Sequence, residues 1–257
     1  MYKNIEFLYR FRHLQNEHRE WTKQILVNSI LYFADPPSFN DPFDCKIHYS
    51  NKVSLDELRH YYTGVLKEKF PHLNRKQLRE KIASDIRGIN RDDFICKMAE
   101  GMQDSANRLG VLSLSATCEN ILLWSHYSAS HTGICLKFHA SSTTPFFGMA
   151  QKVKYKDKYP QIDVLTDPDE QVEGFLLTKA KDWEYEEEWR IINHETGSGG
   201  KRFPDELLAE IIFGARMNIE DKEEVLSWLS TRTHPVHVSE AHLSTGTYSL
   251  KIRPYEP

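Results

Sequence analysis

The stretch 111–138, VLSLSATCENILLWSHYSASHTGICLKF, constrains the fold of this chain more than any other part of the sequence. Val111–Ser115 alternates two kinds of side chain, with leucines on one face and hydroxyls on the other, as a strand does. Glu119–Ser128 carries apolar residues in successive helical turns. Gly133 then precedes an apolar strand, Ile134–Phe138. The order strand, helix, glycine, strand predicts two core strands braced by one helix.

Further short strands and helices are predicted on both sides of this stretch. Helices are expected at 13–28 and 220–230, and Gly197–Gly200 is expected to be a flexible turn. Strands and helices do not alternate regularly, which favours an α+β fold with a mixed, mainly antiparallel sheet over a doubly wound parallel fold. The additional predicted strands are 6–12, 29–34, 153–155, 188–192, 207–213 and 247–253.

Residues 53–104 differ in character from the remainder of the chain. They are highly charged and carry leucines and isoleucines at helical intervals, with breaks predicted at Pro71 and at Gly88–Asn90. We interpret this segment as a helical insertion or cap within a single α+β domain that covers 1–257. Its lysines and arginines alternate with acidic residues, which is typical of solvated helix faces.

Composition limits the partners and the cellular location. A formal net charge of -4 argues against a general affinity for nucleic acid or for an anionic membrane. No run approaches the roughly 20 apolar residues that span a bilayer, and the N-terminal MYKNIEFLYRF lacks the apolar core of a signal peptide. The 4 cysteines are scattered, which favours reduced thiols. We therefore expect a cytoplasmic protein without a membrane partner.

Familiar catalytic and metal-binding motifs are absent from the sequence. It contains neither a glycine-rich phosphate loop nor a Gly-x-Ser-x-Gly elbow. The histidine pairs His126 with His131 and His234 with His237 lack cysteine or carboxylate partners at the spacing of zinc sites, so no metal is expected. Ser125 and His126 are adjacent, and adjacent residues on a helix point in different directions.

The acidic segment Trp183–Arg190, WEYEEEWR, is the strongest candidate for chemistry in the sequence. If it is extended, Glu186 and Glu188 share a face beside aromatic rings. A carboxylate in such surroundings can have a raised pKa or can stabilise developing positive charge. The alternative is structural: Glu188 or Glu186 forms an ion pair with Arg190 or with Arg10.

Arg10 is the second candidate, because it lies in the middle of a predicted strand. Phe7, Tyr9 and Phe11 point to the opposite face of that strand. An arginine in this position can fork onto a phosphate or a carboxylate, or it can pair with the glutamate cluster.

The loop NDPFD supports a weaker alternative. Asp41, Asp44 and Glu188 could hold the divalent metal of a nuclease if the loop folds over the sheet. We favour the interpretation that the two aspartates bond to nearby backbone amides and hold the loop in place.

Taken together and in order, several segments resemble a known family. They are FLYRFR, ILYFADPPSFNDPFD, VLSLSATCENILLWSHYSASHTGICLKF, KAKDWEYEEEWRII and EIIFG. The combination of NDPFD, WSHY and EEWR is similar to the bacterial domain-of-unknown-function family 2971, and the resemblance covers most of the chain except 53–104. The family name implies no activity.

The order of motifs also resembles, more distantly, the ADP-ribosyltransferase fold, and particularly its members that modify nucleic acids. This resemblance implies a split sheet and NAD as the substrate. It assigns Arg10 to a first strand that holds NAD, Ser113 or Ser115 to a middle strand, and Glu188 to catalysis. The sequence departs from the pattern in two ways. It lacks a full Ser-Thr-Ser motif, and its glutamate cluster leaves Glu186 as a second catalytic candidate.

The same resemblance implies a separate role for each of these residues. Arg10 would hold the pyrophosphate or the ribose beside nicotinamide, and Glu188 would bond the ribose 2′-hydroxyl and stabilise an oxocarbenium-like centre. The aromatic side chains expected to stack on nicotinamide are Tyr9, Phe11, Trp124 and Tyr127.

Two functional hypotheses follow from the sequence. The first is an NAD-using transferase or NAD glycohydrolase, in toxin or phage-defence biology, with a nucleic acid or a protein as acceptor. The second is a non-enzymatic nucleotide sensor or partner-binding protein, in which Trp124, His126 and Tyr127 line a ligand pocket or pack in the core.

Overall fold

The computed structural model describes residues 5–46, 48–49, 52–85, 90–163, 165 and 168–256. None of the helices described there is both long and apolar enough to cross a membrane. The helices are α1 (His18–Asn28), α2 (Leu55–Lys69), α3 (Arg75–Asp85), α4 (Arg91–Ala106), α5 (Ile121–Tyr127), α6 (Pro168–Leu176) and α7 (Ile219–Leu229). The strands are β1 (Phe7–Arg12), β2 (Ile30–Phe33), β3 (His48–Tyr49), β4 (Gly110–Ser115), β5 (Ile134–His139), β6 (Gln151–Lys152), β7 (Lys154–Lys156), β8 (Gln161–Ile162), β9 (Thr178–Ala180), β10 (Glu188–Asn193), β11 (Gly199–Arg202), β12 (Leu208–Phe213), β13 (His237–Leu243) and β14 (Leu250–Pro254).

The main sheet has eight strands in the order β14-β13-β12-β5-β1-β4-β10-β6. Its pairings are antiparallel except between β12 and β13, which run parallel and are joined through α7. The predicted α+β class with a mixed, mainly antiparallel sheet is therefore confirmed. β1, the first strand of the chain, lies in the interior of this sheet because β5 and β4 flank it.

The chain divides into two compact units. The first consists of Met1–Phe39, Leu109–Tyr155 and Lys181–Pro257, and it contains the eight-stranded sheet. The second consists of Asn40–Arg108 and Lys156–Ala180. The predicted helical insertion, 53–104, falls within the second unit.

The two faces of the main sheet carry separate apolar clusters, as the alternation along β1 predicts. Leu8 packs in the larger cluster, which also contains Leu26 of α1 and Trp228 of α7. Phe11 packs in the smaller cluster with Trp124 of α5. Burying both faces explains why the core strands have almost continuous apolar sequences.

The two-stranded sheet of β2 and β11 is joined to the main sheet at β4. Ala34, which directly follows β2, exchanges two backbone hydrogen bonds with Val111 of β4, at 2.9 and 2.8 Å. β2 pairs in turn with β11, so the prediction of a flexible turn at Gly197–Gly200 is wrong for its last two residues. Glycine is poor in strands in isolation, and here the partner strand β2 supplies the order that the local sequence lacks.

The second unit is built on α2, α3 and α4, which confirms the helical character of 53–104. Ser54 and Glu57 form a reciprocal capping box at the start of α2. The break predicted at Pro71 is confirmed, because Pro71 lies between α2 and α3. In the second predicted break, Gly88 and Ile89 lie outside the described residues, and Asn90 caps α4 by accepting a hydrogen bond from the Asp93 amide.

The backbone at Gly133, in the α5–β5 connection, lies against the end of β1. A Cβ at this position would lie 2.1 Å from the Arg12 carbonyl oxygen and 2.9 Å from the His13 Cα. Both neighbours are main-chain atoms of the central strand region and cannot rotate away. The glycine predicted before β5 is thus required by space, and it permits the pairing of Arg12 with Ile134.

We expect Gly133→Ala to destabilise the protein by more than about 2 kcal/mol, because the added methyl group overlaps fixed backbone. Chemical denaturation followed by circular dichroism measures the free energy of unfolding. The matched control is Gly64→Ala in α2, where an added Cβ meets nothing within 4 Å. That variant should gain up to about 1 kcal/mol from helix propensity. Equal stability changes in the two variants would contradict the close contact at Gly133.

Candidate functional site

Three neighbouring strands carry the residues that the sequence singled out for chemistry. β1 bears Arg10, β4 bears Ser113 and Ser115, and β10 bears Glu188, and the sheet order places β4 between the other two strands. Ser115 lies opposite Tyr9 of β1 on one side and opposite Glu188 of β10 on the other. Because register partners share a face of a sheet, Tyr9, Ser115 and Glu188 form a row across one face.

Arg10 approaches the row of Tyr9, Ser115 and Glu188 from the other face of the sheet. It adjoins Tyr9 in an extended strand and so starts on the opposite side, but its guanidinium donates to the carbonyl oxygen of Ser113 at 2.8 Å. The pKa of Arg10 is lowered to about 9, chiefly by burial and also by the charge of Arg12, while the nearby Glu188 carboxylate opposes the shift. The side chain therefore links β1 to β4 where the two strands share the single register pair of Tyr9 and Ser115.

Glu188 and Arg190 form a buried ion pair at the start of β10. The glutamate is 4% exposed and the arginine 0%. Arg190 Nε donates to Oε1 at 2.7 Å and a terminal nitrogen donates to Oε2 at 3.0 Å. The Glu188 amide donates to the Tyr155 hydroxyl at 2.7 Å. The ion pair between Glu188 and Arg190, which the sequence offered as one possibility, is thus present, and the forked contact fixes the orientation of the carboxylate.

Glu186 is oriented by contacts different from those of Glu188. Its side chain, on a residue that is 5% exposed, accepts a hydrogen bond from the Tyr127 hydroxyl at 2.6 Å. Its main-chain carbonyl accepts from the Ser115 hydroxyl at 2.7 Å. Tyr127 of α5 and Ser115 of β4 therefore hold this residue from two elements.

The expectation that Glu186 and Glu188 share the face of one extended segment is wrong. Lys181–Glu186 forms a 3₁₀ helix, and the strand begins at Glu188. Between them Glu187 has a φ of 45°, in the left-handed region that non-glycine residues seldom adopt. The Glu187 carbonyl accepts from the Ala116 amide at 3.0 Å, so contact with the end of β4 holds this turn.

The aromatic side chains near the glutamates divide into core and surface residues. Trp124 is 0% exposed, its Nε1 donates to the Cys118 carbonyl at 2.7 Å, and its ring meets the edge of Phe11 with centroids 5.1 Å apart. Both rings are core residues, which argues against the predicted stacking of nicotinamide on Phe11 or Trp124. Tyr127 is half-buried, and exposed His126 lies 3.1 Å from the Tyr185 hydroxyl through Nδ1.

One contact that the sequence reasoning missed joins Ser125 to His131. The Ser125 hydroxyl oxygen lies 3.2 Å from His131 Nε2. The loop between them brings them together through three successive residues with positive φ, Ala129, Ser130 and His131. The Ser125 hydroxyl has one proton, and it donates that proton to the Ile121 carbonyl at 2.9 Å. His131 Nε2 can then act as the donor to the Ser125 oxygen. A base that activates a serine must instead accept the hydroxyl proton, so this contact does not activate a nucleophile. No spacing pattern in the sequence predicts a loop with three successive positive φ angles.

The loop NDPFD, in the second unit, is held by its own aspartates. Asp41 accepts from the Phe43 amide at 2.8 Å, the backbone bond predicted for this loop. Asp44 lies 3.9 Å from the Lys179 ammonium. Within the described residues, no group of three or more His, Cys, Asp or Glu side chains is arranged to hold a metal ion. The metal-dependent nuclease alternative gains no support from these positions.

Removing the hydroxyl of Tyr127 tests how much its hydrogen bond to Glu186 stabilises the protein. Tyr127→Phe should lower the free energy of unfolding by about 1–3 kcal/mol, because a buried carboxylate loses a short hydrogen bond. The control is Tyr248→Phe, since Tyr248 is 99% exposed and should lose nothing measurable. Urea unfolding of both variants and the wild type gives the comparison. If Tyr127→Phe matches the control, the contact with Glu186 contributes nothing to stability.

Comparison with known proteins gives one family match. A family model described as "Protein of unknown function (DUF2971)" matches residues 123–191, which run from α5 to β10. Searches of curated proteins and of solved structures return no significant match. The matched region includes Tyr127, Glu186 and Glu188, three residues of the site described above. The resemblance to this family of proteins of unknown function, predicted from the motifs, is thus confirmed over residues 123–191.

Proposed function

We propose that the protein cleaves the bond between nicotinamide and ribose in NAD, as an ADP-ribosyltransferase-like enzyme or an NAD glycohydrolase. One observation carries the proposal. A half-buried guanidinium, Arg10, and a buried carboxylate, Glu188, lie near enough to interact, and Arg10 donates a hydrogen bond to the main chain of Ser113 on the strand between them. A cation for phosphate and a carboxylate for a ribosyl cation are the two charges that this reaction needs.

The chemistry follows from where charge develops. When the bond breaks, its electron pair leaves with nicotinamide, which departs neutral, and the ribose carbon becomes oxocarbenium-like. A carboxylate at Glu188 stabilises that positive charge and accepts a hydrogen bond from the 2′-hydroxyl. Water then adds to the carbon and releases one proton, which gives ADP-ribose. In a transferase, a nucleophile of a nucleic acid or a protein adds in place of water.

The ion pair with Arg190 is compatible with this role for Glu188. An ionised carboxylate offers about four acceptor positions, so a forked arginine leaves the group able to accept from a substrate hydroxyl. The pair also keeps the carboxylate in one orientation, which is a requirement of preorganised electrostatic catalysis. Glu186, held by the Tyr127 hydroxyl, is the second candidate for the same role.

Burial of the same pair favours one alternative function. With Glu188 4% exposed and Arg190 0% exposed, the two charges can serve to fix the fold. In that case the protein is a non-enzymatic nucleotide-sensing or partner-binding protein on the same scaffold. Under either function we place it in the cytoplasm, and under the first in toxin or phage-defence biology.

Release of nicotinamide from NAD tests the proposal directly. We expect the purified protein to release nicotinamide, measured by liquid chromatography, in the absence or presence of RNA, DNA and protein acceptors. Glu188→Gln should lower kcat at least about 100-fold, because the neutral amide no longer stabilises positive charge. The matched control is Glu184→Gln, an exposed glutamate of the same segment, which should retain full turnover.

Loss of fold must be separated from loss of chemistry. Glu188→Gln leaves the buried Arg190 charge without its carboxylate and so lowers stability. Glu188→Asp keeps the charge but withdraws it by one methylene, so it should retain more stability and still lose turnover. Circular dichroism establishes that each variant is folded at the assay temperature. Full turnover in folded Glu188→Gln would refute the role of Glu188, and NAD binding without any turnover would favour the sensor.

A further inference from the structure

Four basic side chains gather where β1 ends and α1 begins. We call Arg10, Arg12, His13 and His18 the β1-end cluster. The imidazole rings of His13 and His18 are 4.0 Å apart between centroids. The charge of Arg12 lowers the pKa of Arg10, His13 and His18, so the other three groups lie within electrostatic range of Arg12.

Two buried nitrogen atoms of this cluster have no hydrogen-bond partner among the described residues. They are Nε of Arg12 and Nδ1 of His18. Buried polar atoms are ordinarily satisfied, and a buried cation ordinarily has a counter-charge, because leaving either unpaired costs free energy. Two such atoms in one cluster mark a place where an acceptor is missing.

The acidic groups around the cluster do not supply that acceptor. Glu17 opposes the lowering of the pKa of His18, and Glu188 opposes that of Arg10, but no carboxylate of the described residues raises the pKa of Arg12 or of His13. Burial lowers the pKa of Arg12 to about 10. Burial also lowers the pKa of His13 to about 4, with the neighbouring His18 and Arg12 acting in the same direction. The cluster is thus electropositive and short of hydrogen-bond acceptors.

We propose that the β1-end cluster binds the phosphate group of a small anionic ligand, with Arg12 Nε and His18 Nδ1 as donors. A phosphate oxygen accepts several hydrogen bonds and suits the planar fork of an arginine. Solvent reaches the site, because Arg12, His13 and His18 are each partly exposed. Trp21, 48% exposed, has its ring centroid 4.7 Å from that of His18 and offers a flat surface beside the phosphate.

This inference does not depend on NAD turnover. Its two donors, Arg12 and His18, have no role in the proposed NAD reaction, and inorganic probes measure binding without any reaction. A Glu188→Gln variant that has lost NAD turnover should still bind phosphate at the cluster. Failure of one proposal therefore leaves the other open to test.

Calorimetric titration with inorganic phosphate, pyrophosphate and ADP tests the site. We expect pyrophosphate to bind the wild type and to raise its melting temperature by about 5–10 °C at roughly 100 times Kd. Arg12→Met should weaken binding at least about tenfold, since a charge-assisted hydrogen bond is lost. His18→Gln should also weaken it. The matched control, Arg253→Met, changes an exposed arginine on β14 and should bind as the wild type does.

Stability without ligand provides a second readout. In a buffer free of multivalent anions, Arg12→Met should be at least as stable as the wild type, because it removes a partly buried charge whose buried Nε has no hydrogen-bond partner among the described residues. In the presence of pyrophosphate, the wild type should be more stable than Arg12→Met. Tighter binding of ADP than of pyrophosphate, lost in Trp21→Ala, would support the site and identify a nucleotide as its ligand, whereas equal affinities would support a site that reads phosphate alone. Absence of binding by all three probes, or wild-type affinity in Arg12→Met, would overturn the proposal.

Discussion

The ion pair between Glu188 and Arg190 is the interaction on which the central part of the sheet depends. Taking two charges out of water costs several kcal/mol for each ion, and only close, forked hydrogen bonding recovers it. The pair lies on β10 opposite Ser115 and Ser113, so its geometry is tied to the register between β10 and β4. A slip of one residue would turn both charges to the opposite face of β10, where Ile191 packs in the larger apolar cluster. The two charges thus specify the register that apolar side chains alone leave less strictly defined.

From this register the remaining contacts of the site follow. The turn at Glu187 ends against Ala116, and the carbonyl of Glu186 meets the Ser115 hydroxyl, because β10 starts directly opposite the end of β4. Tyr127 of α5 then reaches the Glu186 carboxylate. The site is therefore a set of polar contacts at the ends of strands, built beside an apolar core that keeps those strands in place.

The sequence predicted the interior strands well and the peripheral ones poorly. β1, β4, β5, β10 and β12 are apolar or alternate clearly, because one or both faces are buried. β11 was taken for a turn because it begins with two glycines, and β13 was not predicted, since its HVSEAHL sequence mixes polar residues into both faces. The neighbouring positions of Arg10, Ser113 and Glu188 were expected from the resemblance. The left-handed conformation of Glu187 and the β1-end cluster could not be predicted from the periodicity of the sequence, because both depend on contacts between residues that are distant in sequence.

The central place of β1 has a consequence for how the chain acquires its structure during synthesis. β1 is made before its partners β4 and β5, which end at Ser115 and His139. This segment must therefore wait, with Leu8 and Phe11 unburied, until the chain has been synthesised beyond His139, and β10 follows later still. Pairings this distant in sequence slow folding, and the exposed apolar strand is open to wrong partners meanwhile. The arginines of FLYRFR, which interrupt its apolar residues, would help to keep that strand soluble during the delay.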